Sequence, residues 1–498
     1  MTKLNKKLIF YIIGMLLVFN GGAMIISSFI SVLFDDGVLK EIAFGAISLI
    51  IIGALIMTFS KNNIRQINKR DGYVIVTIGW LTMVFSGMLP YYLTGSINSF
   101  SNLFFETMSG YTTTGSTILN DIEALPKSII FWRSMTHWLG GMGIIVLAIA
   151  ILPLLGIGGM QLFSAEAPGI NSDKIHPRIS DTAKRLWFIY VGLTFLETLL
   201  LKIAGMSFFD AINTSMSNIA SGGFSSRNES IGYWNDIPLI QYIIILFMFL
   251  AGTNFVLIYF GITGKIKKII QDTEFKWYLT LISSFAIMVT ITLYFYVDLS
   301  LSDVNHPQVY GKFESSFRHA LFQVVAIITT TGFVTGDFIS WGPFLTMFFF
   351  GIMFLGGSSG STSGGVKILR HLILIKNGFL EFKRSLHPNA IFPLRHNNSV
   401  VEKPIIIHVL AFFILYLILF IVGAGVLSLL GLDFVSAIGG AASSIGNVGP
   451  ALGELGPISN FDSLPELGKY WCSFLMLIGR LELFTVLILF TPFFWRDR

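Results

Sequence analysis

Ten stretches of this 498-residue chain stay apolar for about the 20 residues that a helix needs to cross a bilayer core of about 30 Å. They run approximately over 8–34, 40–60, 72–94, 130–157, 185–206, 236–263, 277–297, 339–369, 404–431 and 468–494. Overall, 53% of residues are apolar and 12% charged, where a soluble domain carries about 25% charged. A soluble fold leaves much of its surface in water and cannot hide that excess. A soluble enzyme, a disordered chain and a nucleic-acid-binding domain are therefore excluded, and a polytopic membrane protein remains. The single cysteine, Cys472, excludes internal disulfides and cysteine-cluster metal sites. Lys3, Lys6 and Lys7 precede the first run as in a signal peptide. That run continues to Phe34 without a small-residue cleavage pattern, so a retained first helix is expected.

Shorter apolar stretches lie near 101–111, 209–219, 313–328 and 433–443. They are too short to cross and too apolar for ordinary loops, so re-entrant half-helices are expected. Each is followed by a hydroxyl-rich segment with glycine: Thr112-Thr113-Thr114-Gly115-Ser116, Ala220-Ser221-Gly222-Gly223-Phe224, Thr329-Thr330-Thr331-Gly332-Phe333 and Ser443-Ser444-Ile445-Gly446-Asn447. The glycines Gly115, Gly223, Gly332 and Gly446 are spaced by 108, 109 and 114 residues, a near-constant period that marks internal duplication. Thirteen residues before them stand Asn102, Asp210, His319 and Asp433; Asn and Asp suit N-caps, and His319 does not. The expected fold is an all-α polytopic membrane protein of ten full spans plus four re-entrant pore half-helices, in four span–pore loop–span repeats around one ion pathway. The divisions are 1–71 for two extra N-terminal spans, then repeats at 72–163, 164–264, 265–395 and 396–498. Helix packing through small residues accounts for one or two such segments, not for four in register with the hydropathy.

Irregular backbone at membrane depth is tolerated only where protein buries it or it lines water. Four equivalent segments can close around one axis, with carbonyl oxygens replacing a cation's hydration shell. Neutral carbonyl and hydroxyl oxygens suit a weakly hydrated monovalent ion, and none of the four segments contains a carboxylate. The eighth run is interrupted by Gly356-Gly357-Ser358-Ser359-Gly360-Ser361-Thr362-Ser363-Gly364-Gly365. This reads as a movable gate in the pathway, or as a cytosolic linker one turn further out. Arg480 falls inside the last run. A charge there costs about 2.5–3.5 kcal/mol on insertion scales. It either faces the pathway and meters cations, or pairs structurally with Glu197 or a helix end; Glu482, two residues on, points elsewhere on a helix.

With the N-terminus inside, the cytosolic segments carry 24 of the 33 Lys and Arg and the outer segments eight, with Arg480 in a span. The positive-inside rule then sets the orientation, with both termini cytosolic. The basic inner loops serve topology alone or also dock a cytosolic partner. Gly156-Ile157-Gly158-Gly159 follows an apolar helix rather than a strand, so a dinucleotide site is not indicated. The eight histidines are scattered without metal-ligand spacing, and no run repeats Arg or Lys as a voltage sensor does.

Several segments together resemble the Trk/Ktr/HKT superfamily of potassium transporters, most closely the bacterial Trk-type membrane subunit. They are Phe105 through Ser116, His137-Trp138-Leu139-Gly140-Gly141-Met142-Gly143, Gly356 through Lys367, and Gly479-Arg480-Leu481-Glu482-Leu483. The resemblance covers essentially the whole chain, and the two extra N-terminal spans favour Trk over Ktr. It implies potassium-binding filter residues Thr113, Thr114, Gly115, Ser221, Gly222, Gly223, Thr330, Thr331, Gly332, Ser444, Ile445 and Gly446. The fourth of these segments departs most from the pattern, at Ile445 and Asn447. A glycine at all four filter positions implies potassium. The implied gate comprises Gly356, Gly357, Gly360, Ser361, Thr362, Gly364, Gly365 and Lys367, with Arg480 as its neighbour. The resemblance further implies a homodimer in the bacterial cytoplasmic membrane. It also implies a cytosolic ring of Trk accessory subunits, with any nucleotide (NAD or ATP/ADP) on that ring and no cofactor on this chain beyond transported potassium. Channel-like uptake, sodium- or proton-coupled symport and a less selective sodium/potassium pathway remain alternatives on one fold.

Overall fold

In hydrocarbon each backbone N–H and C=O must find its partner inside the chain, so apolar runs fold as helices. The computed structural model describes residues 4–60, 68–146, 179–299, 306–397 and 399–496. Its helices are α1 (Lys6–Phe34), α2 (Leu39–Ser60), α3 (Lys69–Gly87), α4 (Leu89–Leu93), α5 (Phe100–Tyr111), α6 (Lys127–Val146) and α7 (Ile179–Ile203). There follow α8 (Phe208–Ile219), α9 (Pro238–Ala251), α10 (Phe255–Ile262), α11 (Ile266–Gln271), α12 (Thr273–Tyr296), α13 (Lys312–Ile328) and α14 (Pro343–Ile352). The chain closes with α15 (Ile368–Leu386), α16 (Lys403–Leu429), α17 (Phe434–Gly446), α18 (Glu466–Arg480), α19 (Phe484–Leu487) and α20 (Pro492–Trp495). One two-residue hairpin, Arg395–His396 with Ser399–Val400, interrupts the helical architecture.

Among the described residues, six helices are long and apolar enough to cross a membrane, or eight if each of two bent pairs is one span. The remaining two of the ten expected runs are 130–157, of which only part is described, and 339–369, which is broken. The run at 236–263 breaks into α9 and α10, which meet at 108°. Asn254 caps the second piece by accepting from the Val256 N–H at 2.8 Å. The run at 468–494 breaks after α18 with a 109° bend, where Glu482 and Leu483 adopt φ of 59° and 44°. The run at 339–369 stops at Ile352 and resumes as α15 only at Ile368. Residues 147–157 of the fourth run and the boundary at 163/164 lie outside the described residues.

Two apolar cores divide the bundle. One joins α1–α6 to α16–α18, and the other joins α7–α9 to α12–α14. The hairpin of α1 and α2 closes on small residues: a Cβ on Gly14 would meet the Gly53 carbonyl at 2.7 Å, and one on Gly21 the Ala46 carbonyl at 2.8 Å. Such close backbone approach is how helices associate where lipid and side chains are equally apolar.

Candidate functional site

The four short helices α5, α8, α13 and α17 end in one and the same way. Two N–H groups turn back onto the last helical carbonyls, closing a Schellman motif that satisfies two otherwise orphaned acceptors. Thr113 donates to Gly110 at 3.0 Å and Thr114 to Ser109 at 2.9 Å; Ser221 to Asn218 at 2.8 Å and Gly222 to Ser217 at 2.9 Å. Thr330 donates to Ile327 at 3.0 Å and Thr331 to Ala326 at 2.8 Å; Asn447 to Ser444 at 3.3 Å and Val448 to Ser443 at 3.0 Å. Each motif turns on a left-handed residue: Thr113 (φ 50°), Ser221 (55°), Thr330 (53°) and Asn447 (52°). A β-branched threonine is costly there, on the order of 1–3 kcal/mol, and persists only because its surroundings hold it.

Two residues after each turn comes a glycine at positive φ: Gly115 (87°), Gly223 (83°), Gly332 (73°) and Gly449 (103°). These glycines and the preceding carbonyls close a ring. A Cβ on Gly115 would overlap the Gly222 carbonyl oxygen, one on Gly223 that of Thr331, and one on Gly332 that of Val448. One on Gly449 would come within 2.8 Å of the Thr114 oxygen, which returns the ring to its start. All four glycines line a single cavity of about 180 Å³, whose walls, among the described residues, carry no carboxylate and include Arg133 and Arg227.

The ring corrects the fourth segment. Ser444, Ile445 and Gly446 belong to the last turn of α17. The positions equivalent to Thr113, Thr114 and Gly115 are Asn447, Val448 and Gly449. The other nine expected residues, Thr113 to Gly115, Ser221 to Gly223 and Thr330 to Gly332, stand in equivalent places. The same three-residue offset accounts for the N-caps of α5 and α8, while the N-cap of α13 lies eight residues before His319. Asp433 does cap α17, accepting from Val435 and Ser436 N–H at 2.9 and 3.2 Å. Asn102, Asp210 and His319 lie inside their helices, whose N-caps are Ser99, Ser207 and Gly311. Asn is among the few non-glycine residues that accept a left-handed φ, so Asn447-Val448-Gly449 carries a legible signal outside the hydroxyl-x-glycine pattern.

Behind the ring a buried ion pair ties two segments together. Glu106 on α5 accepts from Arg133 Nε at 2.9 Å and from the Thr117 hydroxyl and Ile118 N–H, each at 3.0 Å. Arg133 on α6 reaches across to the Ser225 carbonyl at 3.1 Å and lies 4.1 Å over the Phe224 ring. Breaking such a pair leaves one charge uncompensated and costs about 3–5 kcal/mol. Glu106→Gln is thus expected to lower the thermal unfolding midpoint in detergent clearly; an unchanged midpoint would show the pair to be dispensable.

The glycine–serine–threonine segment packs directly against the ring segments, so it is not a linker outside the bundle. Thr362 meets the Ser221 hydroxyl at 2.9 Å, and the Gly364 N–H donates to the Thr330 hydroxyl at 2.6 Å. It also plugs the break between α9 and α10: Ser358 N–H donates to the Gly252 carbonyl at 2.8 Å, and Phe255 N–H to that of Gly360 at 3.2 Å. Lys367 donates to the Ser363 carbonyl and lies 3.2 Å from its hydroxyl. Gly356 N–H donates to the Val366 carbonyl at 2.8 Å, and Gly357 N–H donates to the Ser363 hydroxyl at 3.0 Å. Ser361 is buried beside it, bonded to the Ser363 hydroxyl at 2.7 Å, and Gly365 turns at φ 65°. The segment is an ordered plug rather than a loose tether.

Arg480 is the last residue of α18 and only 3% exposed. A Cβ on its neighbour Gly479 would overlap the Ile445 carbonyl oxygen. Among the described residues no acceptor lies within hydrogen-bond reach of its three guanidinium nitrogens. Glu197 bonds instead to Asn218 at 2.6 Å. Glu482 pairs with Arg370, which lies 4.0 Å over Phe412. The structural ion pair with Glu197 is therefore not formed.

The family described as TrkH, a cation transport protein, matches residues 39–497. The chain is 38% identical over 489 residues, 98% of both chains, to the Trk system potassium uptake protein TrkH of Escherichia coli strain K12. It is 37% identical over 496 residues to the protein of the same description from Halomonas elongata, covering 99% of this chain and 100% of that one. The crystal structure of the potassium transporter TrkH from Vibrio parahaemolyticus superposes with a TM-score of 0.86 at 35% identity, over 98% of this chain and 99% of that one.

Proposed function

The chain belongs to the TrkH family of cation transport proteins, a family of transporters and not of enzymes, and from that membership we propose that it is the pore-forming membrane subunit of a potassium-uptake system. The single observation that carries this reading is the closed ring in which four glycines each abut a neighbouring segment's carbonyl oxygen. In this reading the four helix–turn–glycine segments are pore repeats around one pathway. Main-chain oxygens of Thr113, Thr114, Gly115, Ser221, Gly222, Gly223, Thr330, Thr331, Gly332, Asn447, Val448 and Gly449 replace the water around a potassium ion. The four half-helices direct their partly negative C-terminal ends at the ion. Because no carboxylate among the described residues lines the cavity, the site binds weakly enough to release its ion.

The plug at 356–367 is the gate. It is hydrogen-bonded to the second and third ring segments at Ser221 and Thr330, so displacing it exposes hydroxyls that then face the ion path. Arg480 stands beside that path as a positive barrier. The subunit forms a homodimer in the bacterial inner membrane with both termini in the cytosol. A ring of nucleotide-binding accessory subunits docks on its basic inner loops, and NAD or ATP/ADP acts there and not on this chain.

The test is tracer flux into liposomes that hold only the purified chain, with potassium and sodium compared. Potassium is expected to enter at least about tenfold faster, the discrimination that 1.4 kcal/mol between two ions provides. Equal rates would replace this reading by an unselective cation pathway, and dependence on an imposed sodium or proton gradient would replace it by coupled symport.

A further inference from the structure

Helix α1 lies outside the four ring-forming segments, yet it carries one amide at mid-helix that its lipid-facing role does not need. Asn20 is fully buried. Its Nδ2 donates to the Ser86 hydroxyl of α3 at 2.7 Å, and its Oδ1 accepts from the Tyr111 hydroxyl at 2.6 Å. Tyr111 is the last residue of α5 and stands two residues before the left-handed turn at Thr113. Its ring packs against α3 and its main chain against α6. A Cβ on Gly87 would meet the ring at 2.5 Å, and one on Gly140 would overlap the Tyr111 carbonyl oxygen. Trp132 donates to the Gly87 carbonyl at 3.0 Å and fixes α3 against α6 at the same level.

The tyrosine is thus a spoke whose inner end belongs to the first ring segment and whose outer end is held by α1. Among the described residues no other segment has a tyrosine spoke: the residues matching Tyr111 are Ile219, Ile328 and Ile445, and α8 is held instead through Asn218, which bonds Glu197 and the Ile244 carbonyl. We propose that Asn20 is a positioning residue for ion selection, in which the N-terminal hairpin braces the Thr113–Gly115 segment through the Tyr111 hydroxyl. The proposal rests on the reading of that ring as the ion filter. Buried amide–hydroxyl bonds restrict the tyrosine to one position. Without the bond the left-handed threonine at its foot, itself strained, has one constraint fewer.

The experiment compares wild type with Asn20→Leu, Tyr111→Phe and the double variant in liposomes, measuring relative influx of sodium, potassium and rubidium, the half-saturating potassium concentration, and the unfolding midpoint. Tyr111→Phe removes one oxygen and keeps the ring, so it stays informative if Asn20→Leu fails to insert. Each single variant is expected to flatten the sodium–potassium–rubidium profile about five- to tenfold, the scale of one lost buried hydrogen bond. The double variant is expected to be no worse than either single one, because both remove the same bond. A lowered midpoint with an unchanged profile and unchanged half-saturation would overturn the brace and leave Asn20 a purely structural contact. A wild-type protein that does not separate the three ions would refute the filter reading instead; the brace is then judged on half-saturation alone, where a shift in both single variants upholds it and none overturns it.

Discussion

Gly223→Ala is expected to reduce potassium influx by roughly a hundredfold or more in the liposome assay, through two additive causes. At φ 83° an alanine is strained by about 1–3 kcal/mol. Its Cβ would also overlap the Thr331 carbonyl oxygen, a main-chain atom buried in the ring that cannot swing aside as a side-chain tip can. Overpacking of this kind costs a further 1–3 kcal/mol or so, and about 2.7 kcal/mol is already a factor of a hundred. Gly115→Ala and Gly332→Ala are expected to match it, since each meets a neighbouring carbonyl in the same manner. Gly449→Ala is expected to be the mildest of the four, because its Cβ comes only to 2.8 Å from the Thr114 oxygen.

The informative control is Gly446→Ala. Gly446 sits in the last helical turn without a positive φ, and its Cβ would find its nearest neighbours at 3.1 Å. Flux within about threefold of wild type is expected. If Gly446→Ala proved more damaging than Gly449→Ala, with both proteins folded by size-exclusion chromatography, the register of the fourth segment would have to move back to Ser444-Ile445-Gly446.

That pair of glycines also marks how far the sequence could be read. Three short helices were legible to within a residue, because a hydrophobic stretch of fixed length followed by hydroxyls and glycine is a local pattern. The fourth was legible as a helix but not in its end. Whether the helix stops at Ser443 or runs on to Gly446 depends on which residue turns left-handed, and that depends on ring closure of Gly449 on Thr114 and of Gly332 on Val448, contacts between residues far apart in the chain. The breaks at Gly252–Asn254 and at Glu482–Leu483 were hidden for a related reason. Hydropathy continues straight across them, while the contacts made at the bends come from elsewhere in the chain: the 356–367 segment donates to Gly252, and Arg370 pairs with Glu482. The plug itself was visible as composition, but its hydrogen bonds to Ser221 and Thr330 were not. Nothing local in α1 distinguished Asn20 from any other amide in an apolar run.

Arg480→Gln is expected to raise potassium flux through the isolated chain, by roughly five- to a hundredfold. A unit positive charge within about one helical turn, ~5 Å, of a passing cation opposes it by roughly 1–3 kcal/mol between water-like and protein-like dielectric. The charge is not cancelled inside the protein among the described residues: Glu197 is taken by Asn218 and Glu482 by Arg370, and the guanidinium finds no acceptor there. Glutamine keeps comparable length and polarity while removing the charge, so the change reads electrostatics rather than packing. Arg480→Lys keeps the charge and is expected to stay near wild-type flux. The barrier should be weakly sensitive to salt, because a buried charge is screened far less than a surface one. A fall in flux for Arg480→Gln in folded protein would mean that the arginine holds the pathway open, and the barrier would then have to be sought in the plug, which carries Lys367.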